Sequence, residues 1–146
     1  MSWRIDTNII SETRKLRPSS SVITWLSSLN PELLYSSRMN IVELRYGASI
    51  LDDGDKQSTL LIWINDVVTK QFFDRTLEID EATLMKWREL TRQRESQRQP
   101  APAVDLLIAA VAIQNNLMMA TRDVAPFVAC GIPTLNPFTG ERFNGT

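Results

Sequence analysis

The sequence predicts an α/β fold, with a central, mostly parallel sheet of four or five strands flanked by helices. Short apolar runs alternate along the chain with stretches whose apolar residues recur at helical spacing, which is typical of βα units. No repeat, low-complexity tract or Gly/Ser-rich linker interrupts the 146 residues. We therefore expect one domain over residues 1–146, of ordinary globular composition at 43% hydrophobic and 23% charged residues.

The predicted strands are short apolar runs bounded by turn-forming residues. The first, Trp3 to Ile5, leads directly into Asp6, and the last begins at Pro133. The predicted strands cover residues 3–5, 33–36, 76–79, 117–120 and 133–135.

The predicted helices carry apolar residues at offsets of three and four, and most begin with a capping side chain. The acidic turn 52–55 separates two helices, which we expect to form a hairpin. The first two predicted helices begin after residue 8 and at residues 19–21. The next two cover 38–51 and the stretch from the turn 52–55 to residue 68. The last three run from 80 towards 93, over 103–115 and over 124–129.

The chain has no histidine and one cysteine, Cys130. The absence of histidine excludes Ser-His-Asp and Cys-His nucleophile pairs and every histidine metal site. A single cysteine excludes an intrachain disulfide and a thiolate zinc site. Any metal must therefore be held by oxygen ligands.

The net charge of −1 and the absence of a long apolar run limit the binding partners. A chain with so little net charge needs a local basic patch to bind nucleic acid. No run approaches the roughly 20 apolar residues of a membrane span, and residues 1–8 lack a signal-peptide core. We expect a cytoplasmic protein that does not bind membranes.

Asp6 and Asp123 occupy equivalent places, each just after an apolar strand and before a helix. Because the carboxyl ends of parallel strands line one crevice, these two carboxylates can converge there although they are far apart in sequence. An Asp at a helix start is also an ordinary N-cap, which is the alternative interpretation of both residues.

Glu43 and Asp105 are acidic residues on apolar helix faces. Glu43 shares its predicted face with Met39, Tyr46 and Ile50. Asp105 shares the face of Ile108, Ala109 and Ala112 in the most apolar helix of the chain. Burial of unpaired carboxylates costs several kcal/mol each, so they need cations, raised pKa values or a shared metal. Pairing with Arg45 or Arg122 is the structural alternative.

Together these four carboxylates describe a site for a hard divalent cation, Mg²⁺ or Mn²⁺. Such sites are typical of phosphoryl-transfer enzymes, in which the metal activates a water and no side-chain nucleophile is needed. The absence of histidine is therefore compatible with catalysis.

Four motifs in order, RIDTNIISE, IVELRYGA, AVDLLIAAVAIQNNL and MMATRDVAPF followed by GIPTLNPF, resemble the PIN-domain ribonucleases, specifically the VapC/FitB-like toxins of type II toxin-antitoxin systems. The resemblance covers nearly the whole chain and implies a PIN-like fold. In that family the corresponding acids coordinate Mg²⁺ or Mn²⁺, which implies catalytic and metal-binding roles for Asp6, Glu43, Asp105 and Asp123. It further implies supporting roles for Thr7, Asn8 and Thr121, which could equally be capping residues.

The resemblance also implies function and partners. It indicates a metal-dependent endoribonuclease that acts on RNA, forms a homodimer, and is inhibited by a cognate small DNA-binding antitoxin through which it reaches operator DNA. The alternative is a PIN-fold binding or regulatory subunit that works in the antitoxin–operator DNA complex with little or no nuclease activity. The presence of all four acids favours the enzyme.

Arg88 and Arg92 lie four residues apart, on one face of a predicted helix. There they could contact RNA phosphates. The alternative is a solvent-exposed helix face on which these arginines pair with Glu89 and Glu95.

Overall fold

The computed structural model describes residues 1–145 and has a six-stranded sheet at its centre. In chain order the strands are β1 (Trp3–Ile5), β2 (Leu34–Ser37), β3 (Thr76–Leu77), β4 (Met118–Ala120), β5 (Thr134–Leu135) and β6 (Arg142–Phe143). Across the sheet the order is β3-β2-β1-β4-β5-β6. The first five strands pair in parallel and β6 is antiparallel to β5.

Helices connect the parallel strands. They are α1 (Thr7–Glu12), α2 (Ser20–Ser27), α3 (Arg38–Ser49), α4 (Gly54–Trp63), α5 (Thr69–Gln71), α6 (Glu81–Ser96), α7 (Ala103–Gln114) and α8 (Ala125–Ala129). A 3-10 turn (Pro31–Leu33) precedes β2, and a π-helical turn (Ile64–Val68) continues α4 into α5. Within residues 1–145, no helix is both long and apolar enough to cross a membrane.

Side-chain caps fix several of the helix starts that the sequence predicts. Ser19 accepts a hydrogen bond from Val22 N at the start of α2, and Asp53 accepts from Asp55 N and Lys56 N at the start of α4. These bonds satisfy amide groups that have no partner inside the helix. Helix α3 packs against α4, as the predicted hairpin requires.

The predicted α/β fold with a mostly parallel sheet is confirmed, and the sheet has six strands where four or five are predicted. The additional strand is β6. It has only two residues, too few to show the alternation of polar and apolar residues by which a strand is predicted from sequence. It follows a turn in which Gly140 has a φ of 84°, and Asn136 N donates to Glu141 O at 2.9 Å. This turn sends the chain back along the edge of β5.

The central strand β1 lies between two apolar cores. One core packs β1 against α1, α2 and α3 and includes Ile5, Ile9 and Val22, each at most 2% exposed. The other packs α6, α7 and α8 against β4 and includes Ala109 and Met119, both fully buried. Helices thus cover both faces of the sheet. The carboxyl ends of the parallel strands are left uncovered.

Candidate functional site

An acidic cleft lies where the carboxyl ends of β1 and β4 meet the starts of helices. The structure brings all four acids singled out in the sequence to this cleft. Its lining residues are Asp6, Thr7, Asn8, Ser11, Glu43, Val104, Asp105, Ile108 and Asp123. We call this group of residues the acidic cleft.

Asp6 is the most constrained of the four acids. Its backbone N–H continues the ladder by donating to Ala120 O at 3.0 Å, and its extended conformation places it at the N-cap of α1. The carboxylate accepts from Thr7 N at 2.9 Å on Oδ1 and from Thr121 Oγ1 at 2.7 Å on Oδ2. Asp6 therefore caps a helix, as the alternative interpretation holds, and also lines the cleft.

A buried arginine, Arg4, lies directly beneath Asp6. Its Nη1 donates to Asp6 Oδ1 at 3.1 Å, and its Nη2 donates to Ser37 Oγ at 2.9 Å and to Asn40 Oδ1. Asn40 in turn donates from Nδ2 to Ile5 O at 2.6 Å. Burial lowers the pKa of Arg4, and the negative charges of Asp6 and then Glu43 oppose that shift.

Arg4 and Asn40 are not among the residues that the sequence singles out. Arg4 stands in a three-residue strand that is otherwise apolar, where an outward-facing arginine is the usual expectation. The available signal was its position two residues before Asp6, on the same side of the strand. The arginines proposed as counterions lie elsewhere, because Arg45 donates to Asn65 Oδ1 and Arg122 stacks on Phe138.

Glu43 reaches the cleft from the middle of α3 and is half-buried. The predicted apolar burial of its helix face is wrong at Tyr46 and Ile50, which are 65% and 62% exposed. The reason is that α3 packs through its other side, where Ile41 and Leu44 enter the core.

Asp105 lies in the first turn of α7, just after the N-cap Pro102. Its predicted neighbours Ile108, Ala109 and Ala112 are all buried, as expected. Burial raises the pKa of Asp105, and the negative charges of Asp6 and Asp123 raise it further. The two other acids therefore act on Asp105 electrostatically across the cleft.

Asp123 is exposed and lies beyond the end of β4. Helix α8 begins at Ala125 with Val124 as its N-cap, so Asp123 does not cap it. Its backbone N–H donates to Thr121 Oγ1 at 3.1 Å, and the residue lines the cleft.

The three predicted supporting residues belong to the cleft or to its base. Thr121 is fully buried, and its hydroxyl accepts from Asn8 Nδ2 at 3.3 Å. Asn8 Oδ1 accepts from Arg122 N at 3.3 Å, which ties the segment after β4 to α1. Thr7 Oγ1 is buried and has no hydrogen-bond partner among residues 1–145.

The donor set of the acidic cleft fits a hard cation. It contains four carboxylates, and within the described part of the chain only that of Asp6 has a salt bridge within 4.0 Å. In their present positions, however, no three His, Cys, Asp or Glu side chains of residues 1–145 are grouped closely enough to hold a metal ion. Mg²⁺ keeps several waters and needs only one or two direct carboxylates, so a looser ring of acids is compatible with it.

Arg88 and Arg92 lie outside the acidic cleft. Both are exposed on α6 and line a separate groove with Met85, Glu89, Thr91 and Glu95. Glu89 pairs with Lys86 at 2.7 Å, and neither arginine has a salt bridge among the residues that the structure describes. The Arg88 guanidinium lies over the Trp87 ring at 5.9 Å from its centroid, and both arginines are on a helix that packs against α7.

Comparisons with known proteins agree with this architecture. A PIN domain family model matches residues 5–128. Toxin FitB of Neisseria gonorrhoeae and VapC ribonuclease Y4jK of Sinorhizobium fredii are 33% and 31% identical over 134 residues, each covering 92% of this chain and 96% of the relative. The structure of FitAcB from Neisseria gonorrhoeae has a TM-score of 0.88 at 32% identity, covering 93% of this chain and 98% of that one. A structure of FitAB bound to an IR36 DNA fragment has a TM-score of 0.87 at 31% identity, covering 93% and 95%. The chain therefore belongs to the PIN-domain family, in the group of the FitB and VapC toxins, which confirms the resemblance carried by its motifs.

Proposed function

We propose that this chain is an endoribonuclease toxin that uses Mg²⁺ or Mn²⁺ at the acidic cleft to hydrolyse RNA phosphodiester bonds. The observation that carries the proposal is that four carboxylates from four separate segments line one cleft. Their position at the carboxyl ends of parallel strands is where α/β folds bind ligands. The name of the relative VapC ribonuclease Y4jK supports the same reaction class.

In this proposal Asp6, Glu43, Asp105 and Asp123 hold the cation. Burial, and then the negative charges of Asp6 and Asp123, raise the pKa of Asp105, and a bound cation would relieve the repulsion among these carboxylates. When bound, the cation supplies a water of lowered pKa and charge stabilisation at phosphorus.

The surrounding residues of the chain orient these carboxylates. Arg4, Thr7 N and Thr121 hold both oxygens of Asp6, so this side chain has one preferred position. Asn8 and Thr121 connect α1 to the segment that carries Asp123, which fixes the spacing of the two acids. The Thr7 hydroxyl is buried beside the cleft without a hydrogen-bond partner among residues 1–145, and in this proposal it donates to a water bound at the base of the cleft.

The charge of the cleft also makes RNA binding at this point depend on the cation. A phosphodiester is anionic, and four carboxylates with one buried arginine repel it. Phosphate can therefore approach the reacting position only after the negative charge has been neutralised. Arg88 and Arg92 are proposed as more distant phosphate contacts on α6.

We further propose that a small antitoxin inhibits the enzyme and carries it to operator DNA as a homodimer. FitAB, in the group to which this chain belongs, has been solved on a DNA fragment. An arginine of such a partner would pair with the carboxylates of the cleft and exclude the cation. Both the RNA and the operator would be met in the cytoplasm.

A second candidate function is a regulatory PIN-fold subunit with little nuclease activity. The observation that favours it is the spacing of the acids, because no three of them within residues 1–145 are grouped closely enough to hold a metal ion. In that case the cleft would serve mainly to bind the partner's basic segment.

Cleavage of a generic RNA by antitoxin-free protein separates the two functions. We expect cleavage that requires Mg²⁺ or Mn²⁺, stops with chelator, and falls at least about a hundredfold in Asp105→Asn because a ligand charge is lost. Asp66→Asn is the matched control, since Asp66 is an exposed carboxylate outside the cleft, and it should cut as the wild type does. Absence of cleavage by wild-type protein with metal present would favour the regulatory subunit.

A further inference from the structure

Arg4 is a fully buried cation at the base of the acidic cleft. Its side chain is 0% exposed in the central strand β1, and its Nε is buried without a hydrogen-bond partner among residues 1–145. A buried ion pair is often no more stabilising than apolar residues of similar shape, because both charges lose their hydration. Packing alone therefore does not explain an arginine here.

The charge of Arg4 interacts with more than one acid of the cleft. It contacts Asp6 at 3.1 Å, and Glu43 also acts on it electrostatically. Two other arginines considered as counterions are engaged elsewhere, Arg45 with Asn65 and Arg122 with Phe138. The three remaining acids of the cleft have no salt bridge within the described part of the chain.

We propose that Arg4 is the internal counter-charge of the cleft: it offsets the negative charge of Asp6 and so weakens binding of the divalent cation. The inference rests on the proposed function, since the cleft must bind a cation. A fixed positive charge a few ångströms from the ligands opposes a second positive charge strongly in a partly buried site.

The remaining contacts of Asp6 make the direction of the effect clear. Without Arg4, Oδ1 still accepts from Thr7 N at 2.9 Å and Oδ2 from Thr121 Oγ1 at 2.7 Å. Asp6 therefore keeps its direction, and loss of the positive charge dominates. The metal-free protein becomes less stable and the cleft binds cations more tightly.

Titration calorimetry with Mn²⁺ alone, without RNA, tests this on wild type, Arg4→Met and Arg75→Met. Arg75 is the matched control, a side chain 16% exposed that donates to Leu34 O and Gln71 O away from the cleft. We expect both variants to melt lower than wild type without metal. Only Arg4→Met should bind Mn²⁺ more tightly, by about tenfold, and gain more in Tm from Mn²⁺ than wild type does.

A merely structural role for Arg4 predicts a different pattern. The Tm of Arg4→Met would then fall equally with and without Mn²⁺, its Kd would match that of the wild type or be weaker, and the proposal would be overturned. If Arg4→Met does not fold, Asp6→Asn is compared with Asp6→Asn/Arg4→Met, in which no carboxylate is left unpaired by the loss of Arg4. The double variant should bind Mn²⁺ more tightly than Asp6→Asn, and equal or weaker binding overturns the proposal.

The same data separate this proposal from the proposed function. Binding of Mn²⁺ by wild type and Arg4→Met with equal Kd values overturns the counter-charge and leaves the nuclease proposal intact. If neither protein binds Mn²⁺ at millimolar concentration, both proposals fail.

Discussion

Thr121 Oγ1 donates a 2.7 Å hydrogen bond to Asp6 Oδ2 and so joins the ends of β4 and β1, 115 residues apart in sequence. The same hydroxyl accepts from Asn8 Nδ2 and from Asp123 N. One fully buried threonine is thus hydrogen-bonded to two acidic residues of the cleft, Asp6 and Asp123. A hydroxyl can make these contacts at once because it has one proton and two lone pairs.

Replacement of Thr121 by Val should damage both stability and the cleft. Valine keeps the shape but leaves the Asp6 carboxylate and the Asp123 N–H without this partner, which should cost about 1–3 kcal/mol of unfolding free energy. Thr121→Ser keeps the hydroxyl and should recover most of the loss. Urea unfolding measures the stability and Mn²⁺-dependent RNA cleavage measures the cleft. Unchanged cleavage in Thr121→Val would show that this bond does not position Asp6.

Neutralisation of the acids should affect stability unequally. Asp6→Asn breaks a buried pair with Arg4 and should lower the unfolding free energy by about 3 kcal/mol. Glu43→Gln, Asp105→Asn and Asp123→Asn remove charges that have no salt bridge within residues 1–145, so stability should be unchanged or should rise. Denaturant unfolding in the presence of a chelator measures the unfolding free energy of each variant. Large losses in all four variants would mark these acids as structural.

The raised pKa of Asp105 predicts a pH dependence of stability in metal-free protein. An acid whose pKa is higher in the folded than in the unfolded chain binds its proton more tightly when folded. Its contribution is therefore present below its ordinary pKa of 3.8 and is lost as pH rises through the raised folded value.

Asp105→Asn should remove this dependence. The difference in unfolding free energy between Asp105→Asn and wild type should be smallest near pH 3.8 and grow in favour of the variant up to neutral pH. Urea titrations at several pH values in chelator measure it, with Asp66→Asn as the control. A difference that stays constant over this range would contradict the raised pKa of Asp105, which burial and then the charges of Asp6 and Asp123 produce.

Arg88→Ala/Arg92→Ala should weaken RNA binding without changing the chemistry of the cleft. Both side chains are exposed in a groove away from the acids. Neither has a salt bridge within residues 1–145, and Arg88 lies over the Trp87 ring at 5.9 Å. We expect KM for RNA to rise, kcat to stay within about twofold, and the salt dependence of binding to fall by about one unit of slope for each phosphate that is no longer neutralised. Arg142→Ala is the control from the far edge of the sheet. An unchanged salt slope would favour the solvent-exposed alternative.

Much of the fold could be predicted because its elements are marked locally. Capping residues and apolar spacing place the helices, and the apolar runs before Asp6 and Thr121 place β1 and β4. Helix α6 ends at Ser96 and not near Gln93 as the sequence predicts, since polar residues at the end of a helix leave no periodic signal. The edge strand β6 depends on pairing with β5, which no local pattern records.

The residues of the cleft could be predicted only in part, because some of them are brought to it by contacts that no local pattern records. Acids after strands and acids on apolar helix faces stand out in the sequence, and all four reach the cleft. Arg4 and Asn40 do not stand out, because their role depends on contacts across β1 and α3 that exist only in the folded chain. The exposure of Tyr46 and Ile50 is likewise decided by how α3 packs.

Anomalous diffraction from crystals of the protein soaked in Mn²⁺ at saturating concentration would show whether the acidic cleft is a metal centre. We predict a peak in the cleft, coordinated by oxygens of Asp6, Glu43, Asp105 or Asp123, directly or through water. Crystals of Asp105→Asn should show a weaker peak at the same concentration, and those of Asp66→Asn an unchanged one. An empty cleft in the wild-type protein, with Mn²⁺ bound only elsewhere, would contradict the proposal that these four carboxylates form one metal centre.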